Sequence, residues 1–229
     1  MRYDRQIQLP ELGQEGQEKI RQSKVLIVGL GGLGSPIALY LTGAGVGTIG
    51  LIDDDSVSLD NLHRQILYTE TEIGQAKAEV AARNLASHNS EVNIQSYPFR
   101  LTTENAAKII AEYDIIVDGC DNFRTRYLID DTCRVLHKPY VYGAIGSLEG
   151  MVSVFHYQGD TSYRTLYPNE QEMYTMPPPS KAVVGVTPAI VGAVQANETL
   201  KIICGYGDVL CGKLWTIDLR TMQTHTIFI

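Results

Sequence analysis

Apolar residues run almost unbroken through Val25-Leu26-Ile27-Val28, Thr48-Ile49-Gly50-Leu51-Ile52 and Asp114-Ile115-Ile116-Val117-Asp118, the pattern of strands covered on both faces in a parallel sheet. Val92 to Tyr97 reads as a further strand. Between these runs the spacing turns helical, over Ser35 to Thr42, Ala78 to Ser87 with Val80, Ala81 and Leu85 in register, Thr103 to Glu112, and Phe123 to Leu136. Tyr140 to Ile145 and Met151 to His156 predict two strands, antiparallel across a turn at Gly146 to Gly150. Thr187 with Pro188 opens a long helix to about Ile203 in cap-then-proline style, and Leu214–Asp218 and Thr224–Phe228 close the sheet. Ahead of the first strand, Pro10 and Gly13 break residues 1–23 into two short helices. From Gly159 to Gly185 no period is visible, and Met176-Pro177-Pro178-Pro179-Ser180 cannot continue a helix. A structureless stretch of that length in a compact domain predicts a functional loop, read as a crossing lid.

The expected fold is α/β: a Rossmann-like, mostly parallel sheet with helices on both faces and antiparallel strands in the C-terminal part. One domain over 1–229 is expected, with a helical arm at 1–23, a nucleotide-binding part at 24–157, a crossover loop at 158–186 and a final helix and strands at 187–229. At 229 residues the chain can bury one large core. Its 44% hydrophobic and 20% charged residues are ordinary for a soluble protein. No apolar run reaches the roughly 18 residues of a membrane span, and the opening residues lack a signal peptide's apolar core, so a cytoplasmic protein without a membrane partner is expected. A net charge of −7 argues against nucleic acid as a partner. The cysteines, Cys120, Cys133, Cys204 and Cys211, form no Cys-x-x-Cys pair, so neither zinc nor a disulfide framework is suggested. Cys133 and Cys204 read as buried small hydrophobes.

The candidate chemistry begins at Gly29-Leu30-Gly31-Gly32-Leu33-Gly34, between the first strand and its helix. Gly29 permits a tight turn, Gly31 or Gly32 lets backbone approach a phosphate, and Gly34 lets helix and sheet pack closely. The helix directs its amides and positive dipole end at that phosphate. Asp53, at the end of the second strand, stands where a carboxylate accepts hydrogen bonds from ribose hydroxyls. The polar connection that follows carries Asn61, Arg64 and Gln65, candidates for phosphate contacts, with a solvated loop as the plain alternative. Lys77 falls in the first turn of a helix, where a cation is disfavoured unless an anion is near. Asp118 and Asp121 either cap the helix from Phe123 or ligate magnesium beside a triphosphate, and Asp121 is the one assigned to the metal. Cys120 is a minor catalytic candidate.

Arg2-Tyr3-Asp4-Arg5-Gln6-Ile7, Gly29 to Gly34, Asp53 with Asn61-Leu62-His63-Arg64-Gln65, Gly74 with Lys77, and Asp118 with Asp121-Asn122 resemble, in order and along nearly the whole chain, the ThiF, MoeB and HesA group of activating enzymes, relatives of the ubiquitin E1. The resemblance implies ATP- and magnesium-dependent adenylation of the C-terminal glycine of a small ubiquitin-like sulfur carrier ending in Gly-Gly. Gly32 would contact ATP, Asp53 the ribose, Asn61, Arg64 and Lys77 the phosphates, and Asp121 the magnesium. Arg5 would reach the nucleotide from the partner subunit of a homodimer. Two departures stand out. Many relatives hold zinc through two Cys-x-x-Cys pairs, but Ser162-Tyr163-Arg164-Thr165 occupies the first position and no second pair precedes Ile229, so zinc is not expected. Lys181 stands where some relatives carry a loop cysteine, which points to a reaction that stops at the adenylate. These departures tilt the carrier towards the thiamine type over the molybdopterin type; a carrier for tRNA thiolation or cysteine synthesis also fits. A nicotinamide-dependent oxidoreductase shares the glycine turn and acid but leaves Arg5, Arg64, Lys77 and Asp121 without a use, and a non-catalytic scaffold has no need of them together.

Overall fold

The computed structural model describes residues 2–177, 180 and 182–229. The arm forms α1 (Asp4–Ile7) and α2 (Gly13–Gln22), followed by β1 (Lys24–Val28), α3 (Gly34–Ala44) and β2 (Thr48–Ile52). A connection with 3₁₀ turns at Leu59–Asn61 and Glu70–Glu72 leads to α4 (Lys77–His88), β3 (Asn93–Tyr97), α5 (Ala106–Ala111), β4 (Ile115–Asp118) and α6 (Phe123–Leu136). Then come β5 (Tyr140–Gly146), β6 (Glu149–Phe155), α7 (Tyr163–Leu166), α8 (Glu170–Thr175), α9 (Val186–Cys204), β7 (Lys213–Asp218) and β8 (Gln223–Phe228).

All eight strands join one sheet in the order β3-β2-β1-β4-β5-β6-β7-β8. The first five in that order are parallel and β6, β7 and β8 add antiparallel. The apolar runs are continuous because both faces are covered. Val25 and Ile27 enter one core with α3, α4 and α9, while Leu26 and Val28 enter a second with α5 and α6. The chain winds outward from β1 to β3, then returns to place β4 on the other side of β1. Adjacent connections diverge there, opening a crevice at the carboxyl ends of β1 and β4.

Three expectations need adjustment. The stretch read as structureless contains α7 and α8, which at 4 and 6 residues are too short to print a helical period. Side chains start both: Ser162 and Thr165 form a capping box on α7, and the Asn169 side chain accepts the Glu172 amide on α8. Of the tyrosines there, Tyr163 is fully buried against Tyr127 and Tyr142 at ring-centroid distances of 4.9 and 5.4 Å, while Tyr167 and Tyr174 are half-buried and pack against the same core. Pro178, Pro179 and Lys181, on which the proline run and the loop-cysteine position fall, lie outside the described residues. The turn between β5 and β6 is tighter than expected, with only Ser147 and Leu148 between the strands. The cap of α6 is neither Asp118 nor Asp121 but Asn122, whose side chain accepts the Thr125 amide at 2.9 Å. Among the described residues no helix is long and apolar enough to cross a membrane.

Candidate functional site

The glycine turn leaves β1 at the crevice and is fixed by backbone contact. Gly29 adopts φ +91°, a left-handed value that favours glycine, and a Cβ there would lie 2.7 Å from the Gly119 carbonyl. A Cβ on Gly34 would fall 2.0 Å from the Gly29 carbonyl oxygen, so β1 and α3 meet as bare backbone. Gly119, at the end of β4, completes the contact with a Cβ position 2.2 Å from the same oxygen. Sequence reasoning did not single it out, although a glycine directly after a buried strand at the switch point is a usable signal. The first turn of α3 has no side-chain cap, which leaves its amides directed at the glycine turn.

The acidic wall follows β2. Asp53 accepts hydrogen bonds from the Leu30 amide at 2.7 Å and the Asp55 amide at 2.8 Å. Burial pushes its carboxyl above the ordinary value while those two amides oppose the shift. A cleft of about 100 Å³ is lined by Gly29, Asp53, Asp54, Asp55, Phe99, Arg100 and Asp121, among others, so the proposed ribose and magnesium acids face the same space. Asp53, Asp54 and Asp55 bring carboxylate oxygens within 4.8 Å of one another. Lys77, with only 5% of its side chain exposed, opens α4 and pairs with Asp55 at 3.0 Å. The anion that its position called for is therefore a carboxylate of the chain itself. Arg100, missed from sequence, pairs with Asp54 at 3.1 Å on the cleft's rim.

The third wall is the connection holding Asn61, Arg64 and Gln65. The Asn61 carbonyl accepts the Arg64 and Gln65 amides at 3.1 and 3.0 Å, curling the segment back on itself. The Arg64 guanidinium donates to the Asp60 carbonyl at 3.0 Å and lies 2.6 Å from the His63 ring nitrogen. Arg64 Cδ is 3.5 Å from where a Gly32 Cβ would stand, and Gln65 Nε2 is 3.6 Å from that position on Gly31. Gly31, Gly32, Arg64 and Gln65 thus converge. Gln65 Oε1, and Ser35 Oγ in the first turn of α3, are buried without a hydrogen-bond partner among the described residues.

Beneath Asp121, which is exposed, lies a buried network. Asp118 is fully buried and accepts from Arg126 Nε at 2.9 Å, the Tyr140 hydroxyl at 3.1 Å, and both the amide and thiol of Cys120 at 2.9 Å. Arg126 also donates to the carbonyls of Cys120 and Gly143, at 2.9 and 3.1 Å. Asp118 is thus a strut for the loop that presents Asp121. Burial, reinforced by the Asp118 charge, pushes the Cys120 thiol well up, so it stays protonated and is a poor nucleophile.

Arg5 is not brought to this crevice within the chain. Its helix is anchored at the opposite end of α3 and α4, where the Gln6 side chain donates to the Ala44 carbonyl, Arg2 to the His88 carbonyl, and Asn89 to the Tyr3 hydroxyl. The glycine turn lies at the other end of α3, roughly 16 Å away along an 11-residue helix.

The chain is similar to known proteins along nearly its whole length. The chain is 45% identical over 223 residues to a sulfur carrier protein adenylyltransferase of Thermus thermophilus, covering 95% of this chain and 82% of that one. It is 44% identical to a probable molybdopterin-synthase adenylyltransferase of Porphyra purpurea, covering 100% of this chain and 62% of the relative. It is likewise 44% identical to an adenylyltransferase and sulfurtransferase of Zea mays, MOCS3-1, over 99% of this chain but 48% of the relative. The chain thus spans about half the length of some relatives. Among solved structures, E. coli MccB crystallised with ATP superposes with a TM-score of 0.81 at 24% identity, over 93% of this chain and 65% of that one, and shows the same fold. The profile of the ThiF family matches residues 3–229, nearly the full length, and the chain belongs to that family.

Proposed function

We propose that the chain adenylates the C-terminal glycine of a ubiquitin-like sulfur carrier ending in Gly-Gly, using ATP. The carrying observation is the convergence of the glycine turn, Asp53, Arg64 with Gln65, and Asp121 at one switch point, together with relatives named for that activity. The residues fit a nucleotide: the unpartnered Gln65 Oε1 and Ser35 Oγ offer polar atoms, glycines keep the turn free of side chains, and the uncapped α3 end favours anions. The carrier carboxylate attacks the α-phosphorus, its new C–O–P bond replaces the bond to the β-phosphate, and pyrophosphate leaves. Two anions must approach for this, so cations that offset their repulsion carry the rate. Arg64 and Lys77 supply charge to the phosphates; Lys77 does so by exchanging Asp55 for a phosphate oxygen. Asp53 accepts from the ribose hydroxyls, and Gly31 and Gly32 hold the triphosphate in line. Asp121 would hold magnesium, whose charge favours departure of pyrophosphate. No side-chain nucleophile is needed, in keeping with the protonated Cys120.

The separation of Arg5 from its own crevice supports a homodimer in which Arg5 reaches the partner's nucleotide. A thiamine-type carrier is favoured by Ser162-Tyr163-Arg164-Thr165 in place of a zinc pair and Lys181 in place of a loop cysteine. The red-algal relative's printed name keeps a molybdopterin-type carrier as the second reading. The test is ATP–pyrophosphate exchange with each carrier in turn, alongside binding of ATP and of NAD. Exchange with one carrier supports the reading and names the pathway; ATP binding without exchange favours a scaffold, and NAD binding an oxidoreductase. Mixed dimers of Arg5→Ala and Asp121→Ala regain exchange if the arginine acts across the interface.

A further inference from the structure

The end of the crossover segment is packed into the connection that carries Arg64, and one glycine makes that contact. Val183 bridges in parallel to Ser147 at the tip of the β5–β6 hairpin. The Ser147 carbonyl accepts from Thr187 Oγ1 at 3.1 Å and from the Val184 amide at 3.5 Å, and Thr187 is fully buried. Between these anchors Gly185 adopts φ −57° and ψ −26°, values open to any L-residue. A Cβ there would nevertheless stand 2.2 Å from the His63 carbonyl oxygen and 3.6 Å from Arg64 Cα. Glycine is therefore required for space and not for conformation. Pro188, three residues on, is 3.1 Å from where a Gly32 Cβ would sit, so the same segment touches the glycine turn.

The hydrogen bonds of the Arg64 guanidinium described above stay within its own connection, to Asp60 and His63. The connection is held against the glycine turn by contacts other than those of the guanidinium. On one side the Tyr68 hydroxyl donates to the Leu30 carbonyl at 3.0 Å. On the side of Arg64, besides the approach of its side chain to Gly32, the described residues place Gly185 against the backbone of His63 and Arg64. We infer that Gly185 is a positioning residue: by admitting the His63 carbonyl it seats Arg64 over the glycine turn, with the Ser147–Thr187 hydrogen bond holding the seat. The inference rests on the reading of Arg64 as a phosphate ligand. Its consequence is that displacing the crossover segment from the hairpin tip removes a surface against which the His63–Arg64 backbone rests.

The test is a double-mutant cycle between Gly185→Ala and Arg64→Ala, read on ATP affinity by calorimetry and on ATP–pyrophosphate exchange. Gly185→Ala is expected to weaken both by roughly tenfold or more, as a misplaced ligand does. In the Arg64→Ala background the same methyl is expected to add less than about twofold, because its route of action is gone. Thr187→Val removes the hydroxyl that reaches Ser147 and is expected to show a smaller loss with the same non-additivity, with Thr187→Ser restoring function. It carries the cycle if Gly185→Ala does not fold by near-ultraviolet circular dichroism. Wild-type ATP affinity in Gly185→Ala, or full additivity with Arg64→Ala, overturns the inference. A wild-type chain that binds ATP but exchanges with no carrier overturns the carrier reading instead, while the affinity cycle still decides the role of Gly185.

Discussion

Substituting Asp118 by Asn perturbs the fold at the point where it supports the site. The carboxylate is fully buried, and each oxygen accepts two donors: Oδ2 from Arg126 Nε and the Tyr140 hydroxyl, Oδ1 from the Cys120 amide and thiol. An amide offers only one accepting oxygen, so one pair of donors must face an NH2 group. Arg126, with 10% of its side chain exposed, is then a buried cation without its counter-charge. Removing one member of a buried ion pair costs about 3–5 kcal/mol, because the other charge stays desolvated. For a chain of this length each kcal/mol lowers Tm by about 2–4 °C, so a fall of roughly 6–20 °C is expected in scanning calorimetry. The pair Asp118→Asn with Arg126→Met removes both charges and should recover most of that loss. The exchange reaction should weaken in Asp118→Asn even where it is folded, since the loop carrying Asp121 loses its strut. A Tm drop below about 3 °C for the single substitution, with cooperativity intact, would refute the accounting.

Gly34→Ala places a methyl 2.0 Å from the Gly29 carbonyl oxygen and should cost more than about 4 kcal/mol or prevent soluble expression, whereas Gly159→Ala, whose nearest neighbour would be Cys211 Sγ at 3.6 Å, should stay within about 1 kcal/mol in a urea titration. Burial pushes the thiols of Cys120 and Cys133 up, so at about pH 8 neither has appreciable thiolate; iodoacetamide followed by peptide mapping should find both unmodified until the chain is denatured, and rapid native labelling of Cys120 would contradict its assignment. Asp53 should titrate above its ordinary 3.8 in a carbon-13 carboxyl experiment. Its protonated form is favoured by the fold, so its contribution to stability is present at low pH and lost as pH rises through the raised value, the reverse of an ion-paired acid. Lys77→Ala should lower ATP affinity with little change in Tm, because the carboxylate left behind, Asp55, is 66% exposed and remains hydrated.

The strand, glycine turn and helix were legible in sequence because their signals are local: Val25 to Val28 must be apolar on both faces, and Gly34 answers a contact with Gly29 five residues earlier, although the Gly119 backbone that crowds Gly29 is distant. Asp53 was legible because the second strand ends at the same level as the first. What stayed hidden depends on distant chain. Asp118 reads like Asp121 in sequence, and only the arrival of Arg126 and Tyr140 makes it a buried strut. The position of Lys77 points to a phosphate, but the anion paired with it in the fold is Asp55, 22 residues earlier, across a connection whose path no periodicity describes. α7 and α8 were lost to their shortness, and their tyrosines resembled a polar loop until packed against Tyr127 and Tyr142.

The packing of α9 fixes an order of events on the ribosome. The glycine turn is complete as chemistry once residue 34 has been made, yet Pro188 rests on Gly32, Gly185 receives the His63 carbonyl, and Gln195 donates to the Asp118 carbonyl at 2.7 Å. More than 150 residues of synthesis separate the first wall of the crevice from the last. Until α9 has been made, a nascent chain carries the glycine turn but not these contacts around it. The crevice is therefore closed by contacts of long sequence separation, the kind that form only once distant chain is available.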